Sequence, residues 1–572
     1  MKTWPSDPSP ISSVSVGLNN QVIEMSKKVI IVGGVAAGAS AAARLRRMDE
    51  NAQIIMIERG EYISFANCGL PYYVGDVIKK RERLLIQTPK SMFRRFNIDV
   101  RNNSTVERIM PLTKEISVTS SQGESYHESY DYLVLCPGAV NIRPDIHGID
   151  HPNVFSVRNV PDSDAIKQYI DMHSPKNAVI LGGGFVGLEM AEMLYERNLD
   201  VAIVEAADQL MGPLDPEMAA IIHTYLHGKD IALHLADRAV SLDGAEHVET
   251  VTLASGQTIP ADLVILGIGV KPEVSLAKDA GLAIGSTGGI LVDEYMRTSD
   301  PYIYAAGDAV QVKDFVTGLD ALLPLASPAN RQGWLIANNL CGRTSKYNGA
   351  QGTAIVKVMD MTVATTGKNE KTLRKLGISF QACHGLPNSH AIYYPGSTMM
   401  TIKLLFDPQD GKILGAQIVG KDGVDKRIDV IATAIRAGMT VFDLQELELA
   451  YAPPFSSAKD PVNMLAYAAS NIVNGDVTVI HWVDVADHVR QGAFLIDART
   501  ANEYGHGSVE GANNIPVDEV RDRLSEIPKD QEILVYCGQG LRSYIVTRIL
   551  KQKGYENVKN ISGGYGLYQY QK

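Results

Sequence analysis

Cysteine is scarce in this chain: 572 residues hold five, Cys68, Cys136, Cys341, Cys383 and Cys537, and no two are spaced as CxxC. So few, so scattered, exclude a disulfide framework, offer no metal-ligand spacing, and fit a reducing cytoplasm. Positive charge is also short, with 54 Lys and Arg against 65 Asp and Glu, a formal net charge of -11. Nucleic acid, whose binding depends on neutralising phosphates, is therefore excluded as an expected partner. No apolar run approaches the roughly 18 residues of a membrane span. Residues 1–24 also lack the apolar core of about 7–15 residues that a signal peptide needs. They are polar, and residues 1–26 are predicted to be a disordered extension, with Met25 a possible alternative start.

What is present is ample apolar material. A hydrophobic share of 45% over this length is enough for several cores, so about three to five domains are expected. Ser64 to Gly75 reads SFANCGLPYYVG, a lone cysteine among small and turn-prone residues. Redox work on sulfur needs a thiolate, and the first turn of a helix is expected to lower the Cys68 pKa through its unpaired N–H groups.

Upstream, the β-branched run KKVIIV enters Gly33-Gly34-Val35-Ala36-Ala37-Gly38 and an Ala-rich helix reaching Met48. That is strand, tight glycine turn and helix, the syntax that sets a helix N-terminus on a pyrophosphate. Val35 stands where the fingerprint usually has its second glycine. Glu58 follows the next strand, where a carboxylate binds ribose hydroxyls. The pattern recurs: AVIL enters Gly182-Gly183-Gly184-Phe185-Val186-Gly187, and the later strand ends in Glu205. Two dinucleotide units imply two cofactors exchanging electrons. Ala206, Ala207 and Asp208 supply no arginine for a 2′-phosphate, which favours NADH over NADPH. The strand in DPYIYAAGDAV delivers Asp308 at its carboxyl end, where it could hold a polyol hydroxyl or cap a helix.

The two glycine fingerprints, the Cys68 motif and AAGDA, in this order, resemble the flavoprotein pyridine nucleotide-disulfide oxidoreductases. Within them, SFANCGLPYYVG is most similar to the single-cysteine coenzyme A-disulfide reductases. The resemblance runs from about residue 27 to 471 and implies an α/β fold with two Rossmann-like dinucleotide-binding domains and an α+β dimerisation domain. FAD would be held by Gly33, Gly38, Glu58 and Asp308, with the Ala326 N–H toward the flavin. NADH would be held by Gly182, Gly184, Gly187 and Glu205, with Glu189 near the nicotinamide. Coenzyme A would meet Ser64, Asn67 and Arg47, with Arg94 or Arg95 as further candidates. A homodimer is implied, in which tyrosines of the partner subunit approach the active cysteine. Tyr393 and Tyr451 match best, with Tyr394 an alternative to Tyr393.

Beyond about residue 476 a second module begins. LIDAR, EYGHG, GANNIP, VYCGQGLRS and GYENVKNISGG in this order resemble a rhodanese domain, an α/β fold. The short Gly-rich loop after Cys537 should point several N–H groups at its sulfur, and Arg542 should add positive charge, holding a thiolate or persulfide. Ser508 stands where relatives often have His, while Glu503 and Asp497 read as fold-holding groups. The boundaries expected are 27–150 and 273–345 for FAD, 151–272 for NADH, 346–472 for dimerisation and 476–572 for the rhodanese. The activity implied is NADH-dependent reduction of coenzyme A disulfide, coenzyme A persulfide or polysulfide through Cys68, with Cys537 handling sulfane sulfur. The rivals are an NADH oxidase or peroxidase cycling Cys68 through sulfenic acid, and a sulfur carrier or redox sensor.

Overall fold

A computed structural model describes residues 26–570; the expected N-terminal extension lies outside the described residues, apart from Ser26. Two five-stranded sheets carry the glycine turns. In the first, the order is Ile303–Ala305, Tyr132–Leu135, Lys28–Val32, Gln53–Ile57 and Asp99–Arg101, every pair parallel. In the second, Asn177–Leu181 sits between Asp200–Glu205 and Leu263–Leu266, again parallel. Parallel strands are covered on both faces, so they read as unbroken apolar runs, and KVIIV, NAVIL and LVIL do. Val29, Ile30, Ile31, Val179 and Ile180 are fully buried.

Each sheet releases the chain through a glycine turn into a helix, Ala36–Met48 and Phe185–Glu196. The turns are crowded. A Cβ on Gly33, whose φ is +97°, would lie 2.1 Å from the Cys136 carbonyl oxygen. Gly187 lets its helix pack to where a Cβ would stand 2.0 Å from the Gly182 oxygen. No side chain therefore fits at either place.

A third sheet is antiparallel, in the order Ala354–Val358, Met361–Gly367, Ile413–Gly420, Met400–Phe406 and Gln381–Gly385. Val424–Arg436 packs on it. A fourth, C-terminal sheet is parallel, with Ile533–Tyr536 between Phe494–Asp497 and Val558–Ile561. The fold is thus mixed α/β.

The second, third and fourth sheets meet at one buried polar junction. Lys403, 1% exposed, places Nζ 2.9 Å from Asp215, 2.6 Å from Glu217 and 2.7 Å from Glu370. Three carboxylates converge there, and the Lys403 ammonium occupies the point where they meet. His384 joins Glu217 through Nε2 at 3.0 Å and Ser562 through Nδ1 at 3.1 Å, and His481 stacks edge-on against it.

Candidate functional site: two glycine turns and a lone cysteine around one cleft

The two glycine turns are built alike down to the carboxylate. Gly34 N–H donates to Glu58 Oε2 at 2.8 Å and Gly60 N–H to Oε1 at 2.9 Å. In the second unit, Gly183 N–H donates to Glu205 Oε2 at 2.8 Å and Ala207 N–H to Oε1 at 2.9 Å. Each glutamate is pinned at the strand end beside its turn, where the ribose of a dinucleotide would lie. Neither following helix has a side-chain cap or an acidic residue in its first turn. At the second turn the space before the helix is open, since a Cβ on Gly184 would meet nothing within 4 Å. Uncapped positive helix ends beside glycine turns are the donor set that a pyrophosphate needs. The residues present fit two dinucleotides.

From Gly33, Gly38 and Glu58 a cleft of about 450 Å³ runs to Asp308. A larger cavity of about 1210 Å³ continues from Asp308 past Cys68 to Gly184 and Glu189, and Ser64, Asn67, Arg47 and Ala326 line it too. Asp308 does not cap a helix, because strand Val310–Lys313 follows it. Burial raises its pKa, with Arg158 pulling the other way. Arg158 carried no signal in the sequence; only the folding of its segment against Asp308 brings it there. Arg94 and Arg95, on helix Pro89–Phe96, do not line this cavity.

Cys68 is exposed into the cavity, but the expected low-pKa thiol is corrected. Burial of the sulfur raises its pKa first, then the charges of Glu189 and Asp308; only its own backbone N–H opposes them. The physical reason is local. Cys68 lies in a single 3-10 turn, Asn67–Gly69, ahead of a helix of only five residues, Leu70–Val74, so the dipole is weak while two carboxylates face the sulfur. Glu189 is itself pushed up to about 7, by burial and then Glu192, and its Oε1 accepts from Tyr72 at 3.2 Å. Tyr72, four residues beyond Cys68, was legible as part of the motif but not as this partner. No other cysteine lines the cavity. Burial lifts Cys136 and Cys383 to about 12, which leaves both inert.

Tyr393 and Tyr451 come together but not with Cys68. Their hydroxyls are 2.8 Å apart, and neither residue lines the Cys68 cavity of the same chain. Both lie in an exposed apolar face with Ile392, Tyr394 and Phe455. The two loops are held from below by Arg427, 2% exposed. Its Nη2 donates to Ser389 O at 2.8 Å and to Asp460 Oδ2 at 3.2 Å. Ala391 N–H donates to Ser456 O at 3.0 Å.

Cys537 ends strand Ile533–Tyr536 and is buried. One loop N–H reaches its sulfur, Gly540 at 3.1 Å, and the Ser543 hydroxyl donates at 3.4 Å; the several N–H groups expected reduce to one and a hydroxyl. Arg542 is not a free positive charge either. It forms a two-pronged pair with Glu503 at 2.6 and 2.7 Å, and that pair holds Glu503 down to about 2. Asp497 pairs with Arg499 at 2.6 Å beneath the loop.

Residues 27–333 match the pyridine nucleotide-disulphide oxidoreductase model, 353–461 its dimerisation domain and 482–570 the rhodanese-like domain. The chain is 36% identical to a coenzyme A disulfide reductase of Staphylococcus haemolyticus, over 78% of this chain and 100% of the relative. It is also 36% identical to an NADH oxidase of Methanocaldococcus jannaschii, over 77% and 98%. Among solved structures, reduced Bacillus anthracis CoADR-RHD superposes with TM-score 0.94 at 53% identity, covering 95% of this chain and 98% of that one. An NAD-dependent persulfide reductase from A. fulgidus follows with TM-score 0.89 at 37% identity, covering 95% and 100%. The paired glycine turns, the lone cysteine and these matches agree: the chain belongs to the pyridine nucleotide-disulphide oxidoreductase family and carries a C-terminal rhodanese-like domain.

Proposed function

We propose that this enzyme uses NADH to reduce the sulfur–sulfur bond of coenzyme A disulfide, coenzyme A persulfide or polysulfide at Cys68, while Cys537 handles sulfane sulfur. One observation carries the reading: Cys68 is the lone cysteine of a cavity that also reaches the second glycine turn. With no neighbouring thiol, no internal disulfide forms there, and the second sulfur has to arrive with the substrate. Gly33, Gly38, Glu58, Asp308 and Ala326 would hold FAD. Gly182, Gly184, Gly187, Glu189 and Glu205 would hold NADH. The chemistry FAD supplies when bound is acceptance of a hydride and return of the electron pair toward sulfur.

The chain's own residues do the rest. The Cys68 thiolate attacks one sulfur of the substrate, the substrate S–S bond breaks, and a thiolate leaves with that electron pair. Asn67 and Ser64 flank the attacking atom, and Arg47 at the cavity wall suits a coenzyme A phosphate. Across a homodimer, Tyr393 and Tyr451 of the second copy would supply phenol donors to the sulfur anion. Their exposure, 73% and 47%, leaves them free for that role. Five cysteines without a disulfide partner suit a reducing cytoplasm.

NADH consumption by wild type, Cys68→Ser and Cys537→Ser decides the matter, with coenzyme A disulfide, coenzyme A persulfide, polysulfide and oxygen as acceptors. Cys68→Ser should abolish every sulfur-dependent rate, and Cys537→Ser only those with sulfane-sulfur donors. The matched NADH oxidase supports a second reading, in which oxygen is the acceptor. A wild type that turns over oxygen far faster than any sulfur acceptor selects it.

A further inference from the structure

Resting on the reading that Cys537 handles sulfane sulfur, we infer that the Glu503–Arg542 pair is the specificity filter of that cysteine. It admits a donor uncharged at its reacting sulfurs, the protonated organic persulfide, and turns away the thiosulfate dianion. A dianion needs a free cation beside the nucleophile, and the loop offers it none.

Two arginines stand about the Cys537 loop, and both are engaged. Arg542 is the second residue of helix Leu541–Gln552. Its guanidinium lies over the loop, since a Cβ on Gly538 would be 3.2 Å from Nη2 and 3.9 Å from Glu503 Oε1. Both of its prongs go to Glu503, at 2.6 and 2.7 Å. Glu503 is fixed from behind by the Thr500 N–H at 3.0 Å and the Thr500 hydroxyl at 2.9 Å. Arg542 holds the Glu503 carboxyl at about 2, so it stays ionised at any working pH. Arg499 is 4% exposed. It pairs with Asp497 at 2.6 Å, donates to Gly507 O at 2.7 Å and sits 4.0 Å from the Tyr565 ring centre, so its charge is turned inward. His506 engages Asn502 O at 2.7 Å. The positive start of the helix is spent on the sulfur itself, through the Gly540 N–H and the Ser543 hydroxyl. Thiolate, guanidinium and carboxylate together leave the mouth with one negative charge, which repels a dianion and is indifferent to a neutral sulfur. The rim is apolar instead. Leu541 is exposed there, and Gln539 of the loop reaches Met399 Sδ at 3.4 Å, groups that suit the organic part of a persulfide. The transfer balances: Cys537–S⁻ + R–S–SH → Cys537–S–SH + R–S⁻. The thiolate attacks the terminal sulfur, the donor S–S bond breaks, and R–S⁻ leaves with the electron pair.

Sulfur transfer to the full-length protein loaded with FAD tests this, read by mass spectrometry as the gain of one sulfur atom on the Cys537 peptide. The donors are mercaptoethanol persulfide, whose organic part carries no charge, and thiosulfate. Glu503→Gln frees the guanidinium, so its thiosulfate rate should gain about 10-fold more than its persulfide rate. The ratio of two donors on one protein cancels any general change in the reactivity or folding of the cysteine. In the wild type, added salt should speed the thiosulfate reaction by screening the repulsion, and should move the persulfide reaction less. That arm needs no variant and decides the matter even where Glu503→Gln folds poorly. Equal gains for the two donors in Glu503→Gln, or a wild-type thiosulfate rate that fails to rise with salt, overturns the filter. A Cys537 that takes sulfur from neither donor overturns the sulfane-sulfur reading beneath it, and is told apart by the absence of any modified peptide.

Discussion

Two sulfur atoms in one chain sit in different surroundings. At Cys68 the surroundings are acidic and half-enclosed, and the thiol is raised. At Cys537 one N–H and one hydroxyl reach the sulfur, while Glu503 cancels the nearby guanidinium. Glu503→Gln should therefore free the charge of Arg542 beside the sulfur, giving a several-fold faster reaction with iodoacetamide at pH 7. An unchanged rate would mean that Arg542 acts on the fold rather than on the sulfur. At the second glycine turn, Glu205 is the carboxylate held by Gly183 and Ala207. Glu205→Ala should raise KM for NADH about 10-fold by removing its ribose contact, and leave KM for NADPH nearly unchanged. The identity of these residues was readable from motif spacing, because glycine turns and strand-end carboxylates are local devices. Their charge state was not, because Glu189, Asp308 and Glu503 approach from distant segments.

Helix Val424–Arg436 shows how one element sets a surface it does not form. From its buried face Arg427 ties together the loop before Tyr393 and the loop after Tyr451, with Asp460 as counter-ion. Arg427→Met leaves the Asp460 carboxylate short of its buried partner, and should cost about 3–5 kcal/mol. Calorimetry should show the lower Tm, and the proposed dimerisation should weaken with it because the exposed apolar face loses its shape. A variant that unfolds earlier yet dimerises normally would separate the two effects. The helix itself is a local element. Arg427 within it gave no sign of this role, since an arginine in a surface helix reads the same as one turned inward.

The buried junction couples three of the four five-stranded sheets. Lys403 pairs with carboxylates from Pro216–His227 and Glu370–Lys375, and from the residue that precedes the former. His384 carries the network on to Ser562. Lys403→Met should leave that cluster uncompensated and cost about 3–5 kcal/mol, with the C-terminal module released first in limited proteolysis. Acid should act on the same place. Burial, then the charges of His384 and Lys403, lower the His481 pKa from 6.5 to about 4. The unfolded chain therefore binds the proton first, and the stability held above pH 6.5 is lost as pH falls toward 4, on the order of 2 kcal/mol. Calorimetry at pH 7 and pH 5 should show the drop, and His481→Phe should reduce it.

Strands, glycine turns, the lone cysteines and the order of modules were all present in the linear chain, because each depends on neighbours within a few residues: backbone sterics at glycine, apolar runs in covered strands, a thiol in a turn. Which charges face Cys68 and which cation pairs with Glu503 came only with folding. Those are interactions between groups far apart in the chain, whose strength follows from distance and burial, and neither quantity exists until the sheets are packed together.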